Sequence, residues 1–298
     1  MGFATQLGAK KEVTYGTGVT VDKRFVFQSE SVVKRGAIVE RDGMRGTRSH
    51  VADDSRTGPY SVSGQLVFEP TPEDLAFWFP FILGASASGT TYALADTLPS
   101  FTLSIDRVAK VFTYAGCKVA RATFSGSSGG LLRMALDVVG QSESVDNAGT
   151  FPSLTAGVTQ PYIFHDLVMT LQSSARKLAS FELVIDNGLV TDRFLNSTTI
   201  TQLPEGDRTI GLNVVLPYSA GTGTSGNTDL YAQALAGAAG TLVFTNAGYS
   251  TTFSFGTLQV PDNSPSSSSK GEIPLNLEMV ARKTSTTLEL EVTHDSTP

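Results

Sequence analysis

Three histidines, one cysteine and scattered carboxylates are the residues of this chain that could do chemistry, and their spacing builds no reaction centre. His50, His165 and His294 follow no metal-ligand spacing. His165 falls in a strand-like run, Tyr162–Leu171, where an exposed or hydrogen-bonded imidazole is expected. Cys117 stands alone, which excludes an intrachain disulfide and a cysteine-based metal site. No serine is expected on a nucleophile elbow of the Gly-x-Ser-x-Gly kind. Gly221–Gly226 reads G-x-G-x-x-G between a strand and a helix. Dinucleotide binding also needs a second strand ending in a carboxylate for the ribose. Here Thr241–Thr245 leads into Asn246, Ala247 and Gly248, and the matching loop of the first half, Glu69–Pro72, has no glycine. Glu73 and Asp74 are explained by a helix dipole rather than as an acid/base couple. No cofactor, no metal and no enzymatic activity are expected.

The elements that would position such residues are mostly strands. In Leu132–Val138 the apolar side chains fall on one face, with Arg133 and Asp137 on the other. Ile273–Met279 repeats that pattern, and Pro274, lacking an N–H, suits only a strand start or edge. Helices are few. Thr71 is an N-cap, Pro72 takes the first helical position, and Gly84 is a natural stop, with Pro80 expected to kink or end the helix. A second helix signal spans Asn227–Gly237.

The same order of elements is read twice along the chain. Phe25–Glu30 and Phe181–Asp186 open the two halves, followed by Tyr60–Phe68 and Thr209–Leu216 with mid-strand Gly64 and Gly211. After the helix signals come Val111–Gly116 and Thr252–Gly256, then Leu131–Val139 and Glu272–Val280. Such recurrence predicts a duplicated domain. The expected fold class is mainly β: two tandem β-sandwich or barrel-like domains of similar topology, each with one short flanking helix. They span 1–145 and 161–298, joined within Gln141–Gln160 by a linker at 146–160. The expected core holds Phe27, Leu66, Phe68, Phe112, Met134 and Leu136 in the first domain. Leu183, Ile185, Leu212, Val214, Phe253, Leu275 and Leu277 serve in the second.

Composition agrees with covered β surfaces. The 298 residues are 40% hydrophobic and only 17% charged, with a net charge of -6. The acidic balance argues against a grip on nucleic acid, since affinity for phosphates comes from Lys and Arg. No signal peptide is visible at Met1–Gln6, and the longest apolar run, Leu75–Leu83, is far short of the roughly 20 residues of a membrane span. The expectation is a chain made and kept in a cytoplasm, or released by lysis, with no membrane partner. Ser264–Lys270 is low in complexity and reads as a flexible loop.

One segment stands apart. Arg35–Pro59 is long, polar and mixed in charge, carrying Arg41, Arg45, Arg48 and Arg56 among acidic residues. A loop of that length inside a compact domain is either a solvated excursion or an arm that docks on a neighbouring subunit. The second half has a shorter counterpart, Leu189–Asp207.

The run Lys11-Glu12-Val13-Thr14-Tyr15-Gly16-Thr17 resembles the opening of long-tailed bacteriophage tail tube proteins. Ser61–Leu75 is similar to their strand-then-helix segment, and Leu178–Gly188 to their mid-chain strand. The resemblance implies a structural virion protein that polymerises as stacked rings into a hollow tube, through which DNA reaches the host without tight binding. It also implies a tape measure protein and tail tip or terminator proteins as partners, and assembly in the host cytoplasm. A duplicated domain would close a pseudo-six-fold ring from three copies. The arm's arginines would then pair with carboxylates of the next ring, and Glu30, Gln65, Asp137, Glu182, Asp186, Asn213 and Glu278 would line the lumen. A tail terminator or baseplate ring component remains an alternative, and a carbohydrate- or receptor-binding β-sandwich a more distant one.

Overall fold

The computed structural model describes residues 2–147, 149–221, 230, 237–260, 264–265, 267 and 271–297. Strands dominate, as the alternation predicts. The first half supplies β1 (Gln6–Lys11), β2 (Lys23–Phe25), β3 (Ser29–Glu30), β4 (Val33–Glu40), β5 (Ser55–Phe68), β6 (Thr91–Ala93), β7 (Phe101–Asp106), β8 (Val111–Ser127), β9 (Arg133–Gly140) and β10 (Ser142–Asp146). The second supplies β11 (Leu167–Leu171), β12 (Ser174–Arg176), β13 (Ser180–Asp186), β14 (Thr209–Pro217), β15 (Ala238–Asn246), β16 (Tyr249–Gln259), β17 (Pro274–Arg282) and β18 (Glu291–Asp295). Every pairing is antiparallel.

β8 ties the layout together. Its first residues pair with β7 and β10, and its later ones with β9 and β13. The strand was expected to end at Gly116; instead it bends there and runs on to Ser127. Gly116 has φ 66°, and a Cβ at that position would lie 2.7 Å from the Gln141 Cβ. Only glycine fits such a left-handed, crowded corner. β16 likewise passes through Gly256 and continues to Gln259.

Pairing in the two halves follows one order. β1–β2, β1–β7, β7–β8 and β8–β10 are matched by β11–β12, β11–β15, β15–β16 and β16–β18. β8–β9, β5–β9 and β3–β5 are matched by β16–β17, β14–β17 and β13–β14. The halves meet through β13, which pairs with β8 from Ser180↔Ser127 to Asp186↔Arg121. The polar sheet is thus continuous across them, in the order β5, β9, β8, β13, β14, β17.

The helix α1 (Pro72–Leu83) starts as its sequence predicts. Thr71 Oγ1 accepts from the Asp74 N–H at 3.3 Å and an Asp74 carboxylate oxygen accepts from the Thr71 N–H at 3.2 Å, a reciprocal cap. Pro80 does not end it. The proline removes the donor that would reach the Ala76 carbonyl, and the Tyr92 hydroxyl approaches that oxygen at 3.5 Å. Gly84, at φ 99°, closes the helix. Leu75, Trp78, Phe79, Phe81, Ile82 and Leu83 are all buried, so α1 is a core helix rather than a flanking one. Phe79 packs on Phe124 from the first half and on Phe253 and His294 from the second.

The apolar core is one cluster running through both halves. The expected core residues are buried in it, except Phe27 and Phe112, which are half-buried against its surface. Each fully buried aromatic contributes about 1.5–3 kcal/mol, so the Trp78 cluster on α1 is a large share of the stability. The expected strand Phe25–Glu30 is broken into β2 and β3. The stretch expected as linker from Gln141 begins with β10, and Phe151 is buried against Val21 and Val111. The second helix signal, Asn227–Gly237, lies outside the described residues apart from Leu230 and Gly237, as do most of Gly221–Gly226 and Ser264–Lys270.

Candidate assembly surface

Six of the seven residues expected to line a lumen stand on one face. Directly opposed residues of antiparallel strands share a side of the sheet. One row across the strands reads Gln65, Asp137, Arg121, Asp186 and Thr209. A second reads Arg133, Ser125, Glu182, Asn213 and Glu278. Gln65 donates to Asp137 Oδ1 at 2.8 Å, Arg121 reaches Asp186 Oδ2 at 2.7 Å, and Asn213 lies 3.5 Å from Glu182 Oε2. Partial burial would raise the Asp186 pKa; the Gly188 N–H and the Arg121 guanidinium outweigh it and hold the carboxyl below its usual range. Four carboxylates are matched by Arg121, Arg133, Arg282 and, on β4 opposite Ser61, Arg35, so this face is close to neutral. Alternation puts Leu66, Met134, Phe124, Leu183, Leu212 and Leu277 on the opposite, buried side.

Glu30 is the exception and corrects the expectation. It stands opposite Leu66, on the inner side of the sheet. Arg107 forks onto it, with Nε on Oε1 and Nη2 on Oε2, both at 2.9 Å. The same guanidinium donates to the Val32 carbonyl at 2.6 Å and to the Tyr114 hydroxyl at 3.2 Å. Hydrogen bonding to Glu30 raises the Arg107 pKa further. This cluster anchors the start of β4.

The arm is a β-hairpin rather than a loop. β4 and β5 pair out to Glu40↔Ser55, and every residue of β4 is exposed. β9 covers β5 only from Val62 onward, so Ser55–Ser61 carries the hairpin about 23 Å past the sheet. Two of its four arginines are occupied within the arm. Arg45 Nε reaches Asp54 Oδ2 at 2.8 Å and Nη2 lies 3.6 Å from Glu40 Oε1, while Arg41 is 3.9 Å from Asp54. His50 Nδ1 is 2.5 Å from Glu40 Oε1. Arg48 and Arg56 make no ion pair among the described residues. Between these polar residues the arm also exposes apolar side chains: Ile38 is 78% exposed and Met44 wholly so.

The counterpart segment after β13 folds back instead. Ile200 and Leu203 are buried, and Glu205 Oε1 accepts from Lys118 Nζ and from the Leu98 N–H, both at 2.7 Å. Burial works against ionisation of Glu205, but Lys118 and the Leu98 N–H win and lower its pKa. The Thr198 carbonyl accepts from the Tyr60 N–H at 2.9 Å, bracing the root of the arm.

Sequence reasoning did not find what Glu12 does. Its carboxylate is buried and accepts from Ser100 Oγ at 2.7 Å, Thr102 Oγ1 at 2.8 Å, the Gly116 N–H at 2.8 Å and the Gly16 N–H at 3.0 Å. It locks the loop after β1 to β7 and to the corner of β8. A glutamate three residues before Tyr15-Gly16 was the available signal, but its Ser100 and Thr102 partners lie about ninety residues on.

The groups capable of chemistry are otherwise apart. His294 is buried, with Nε2 2.9 Å from the Pro72 carbonyl and Nδ1 2.8 Å from Thr251 Oγ1. Burial lowers its pKa to about 4. His165 is exposed, in a short turn that precedes β11. Cys117 is buried and its thiol pushed up in pKa by burial. Gly126–Gly130 does spell Gly-x-Ser-x-Gly around Ser128, but it is the turn of the β8–β9 hairpin, not a strand-to-helix elbow. Among the described residues no group of three or more His, Cys, Asp or Glu could hold a metal ion.

Comparison with known proteins follows the same direction. No curated protein matches the chain. A family described as phage tail tube protein matches residues 2–281. The match covers nearly the whole of this all-antiparallel β fold, its polar sheet face and its projecting hairpin, and the chain belongs to the phage tail tube protein family, as a structural component of the virion tail.

Proposed function

We propose that the chain closes into a ring of three copies, and that the rings stack into a tube through which DNA is delivered to the host. The observation that carries this reading is the β8–β13 junction. It joins two halves of matching strand order edge to edge within one chain. The strand that stands in β13's place in the first half is the β3–β4 pair, and the strand in β8's place in the second is the end of β16. β4 pairs only with β5, and Thr257 and Gln259 only with β17, among the described residues, while Leu258 also meets Ala238 at the start of β15. Repeating the internal junction between copies would join those two edges. Heterologous contacts that close make rings, and closure removes exposed strand edges.

On this reading the two halves are tandem copies of one β domain, with residues 146–160 passing between them. Each chain lends eight strands: β4, β5, β9, β8, β13, β14, β17 and β16. Three chains give a barrel of 24. At a spacing of about 4.8 Å and a tilt near 40°, its circumference is roughly 150 Å and its backbone diameter about 48 Å. The face bearing Asp137, Asp186, Glu182 and Glu278 lines the lumen, where its near balance of charge lets a duplex slide rather than bind. The arm reaches the next ring, where Arg48 and Arg56 are available to carboxylates. Assembly in the host cytoplasm, around a tape measure protein and against tip and terminator proteins, completes the proposal. Electron microscopy of the purified chain tests it: tubes support it, and single unstacked rings would favour a terminator or baseplate role.

A further inference from the structure

We propose that the hairpin arm is an apolar plug, and that its socket is a groove on the second half of another copy; this rests on the stacked-ring reading above. The arm leaves the end of the sheet marked by Val62, Gly140 and Asp186. The opposite end is marked by Phe68, Ser127 and Ser180. At that opposite end lies a groove of about 480 Å³ floored by Phe164, Leu167, Val168 and Leu178. Val168 is 52% exposed although it sits in a strand. Plug and socket therefore face in opposite directions along the strands, the arrangement that head-to-tail stacking brings into contact.

The chemistry of the two surfaces fits. Ile38, Val39, Met44 and Val51 are exposed on the arm, where a solvated excursion would carry polar side chains. Asp42 and Asp53 are exposed there without an ion pair, and the groove is rimmed by exposed Lys177 and His165. The arm's Arg41 and Arg45 are neutralised at home and Arg48 and Arg56 balance Asp42 and Asp53, which leaves the exposed apolar side chains, rather than a net charge, to make the contact. The arm belongs to the first half of the chain and the groove to the second, so each copy can both give an arm and receive one.

The test replaces Met44 with the photo-cross-linking residue p-benzoylphenylalanine in the full chain, mixing isotopically light and heavy copies so that links between copies are distinguished. Irradiated tubes are expected to yield an intermolecular link to the peptide spanning 164–178. Links elsewhere, or links within one copy, would overturn the plug-and-socket assignment while leaving the tube intact. Val168→Asp and Met44→Asp are each expected to raise the critical concentration for polymerisation about tenfold or more, with unchanged melting of the dispersed protein. High salt is expected to leave wild-type tubes intact; dissolution by salt would mean that the contact is ionic and the proposal wrong. Failure of the wild-type chain to form tubes at all would instead remove the stacked-ring reading, and this one with it.

Discussion

The arm at residues 41–54 and the segment after β13 occupy the same place in the strand order, each linking a pair of antiparallel neighbours, yet they behave in opposite ways. One projects past the sheet with Ile38 and Met44 in solvent. The other turns home, burying Ile200 and Leu203 and clamping Glu205 to Lys118. The difference is where the apolar residues fall relative to a supporting surface. The second segment lies against β8 at Lys118 and the loop at Leu98, and has somewhere to bury its side chains. The hairpin has only its own two strands, and a two-stranded hairpin is marginal in water without a further surface to pack on. The first half thereby presents an uncovered hairpin, and the second braces its root.

The sharpest way to break that comparison is to delete Ile38–Ser55. The β domains are expected to keep their melting temperature while tube formation is abolished, read by light scattering and microscopy. Normal tubes from the deletion would reduce the arm to a solvated hairpin. Next in size is one substitution made in both places. Leu203→Asp puts a charge into a buried site and is expected to cost about 3 kcal/mol or more in urea unfolding. Ile38→Asp is expected to stay within about 0.5 kcal/mol, because nothing covers it in the isolated chain. Equal effects would erase the distinction between home-packed and outward-facing segments.

Much of this was legible in the sequence, and what was missed has physical causes. Period-2 alternation located β9, β14 and β17 with their buried faces, and the Thr71 cap with Gly84 bounded the helix. Glu30 was put on the wrong face because the chain kinks between β2 and β3, which shifts the alternation counted from Phe25. The continuation of β8 through Gly116 was hidden because a glycine ends a strand and corners one with the same letter. Glu12 drew notice only within a recurring motif. Its donors sit on β7 and β8, and no local pattern reports contacts across such separations.

Glu12 sharpens the comparison from the other direction, since it fastens the first half's own loop to its sheet. Glu12→Gln keeps the shape but removes the charge from four donors, and a loss of about 2–3 kcal/mol in unfolding free energy is expected. A neutral result would mean that the donors find other partners.

The remaining tests are electrostatic. His294 holds a folded pKa of about 4 against an ordinary 6.5, so the unfolded chain binds a proton that the folded chain refuses. Its stabilisation is complete above about pH 6.5 and is lost as pH falls towards 4, up to roughly 3 kcal/mol. Asp186 and Glu205, with lowered pKa values, add losses of the same sign at still lower pH. Urea midpoints measured from pH 7.5 to 4.5 should fall steadily, and a flat profile would contradict the buried neutral imidazole. Arg41→Ala is expected to change stability by no more than about 1 kcal/mol, as for other exposed pairs.

The central claim is that one chain supplies two neighbouring segments of the same barrel. Image reconstruction of assembled tubes tests it most directly. The expected result is three copies in each ring, with Asp137, Glu182 and Glu278 facing the axis and the β4 edge of one copy paired beside the end of β16 of the next. Six copies in each ring, or those carboxylates buried between copies, would contradict it.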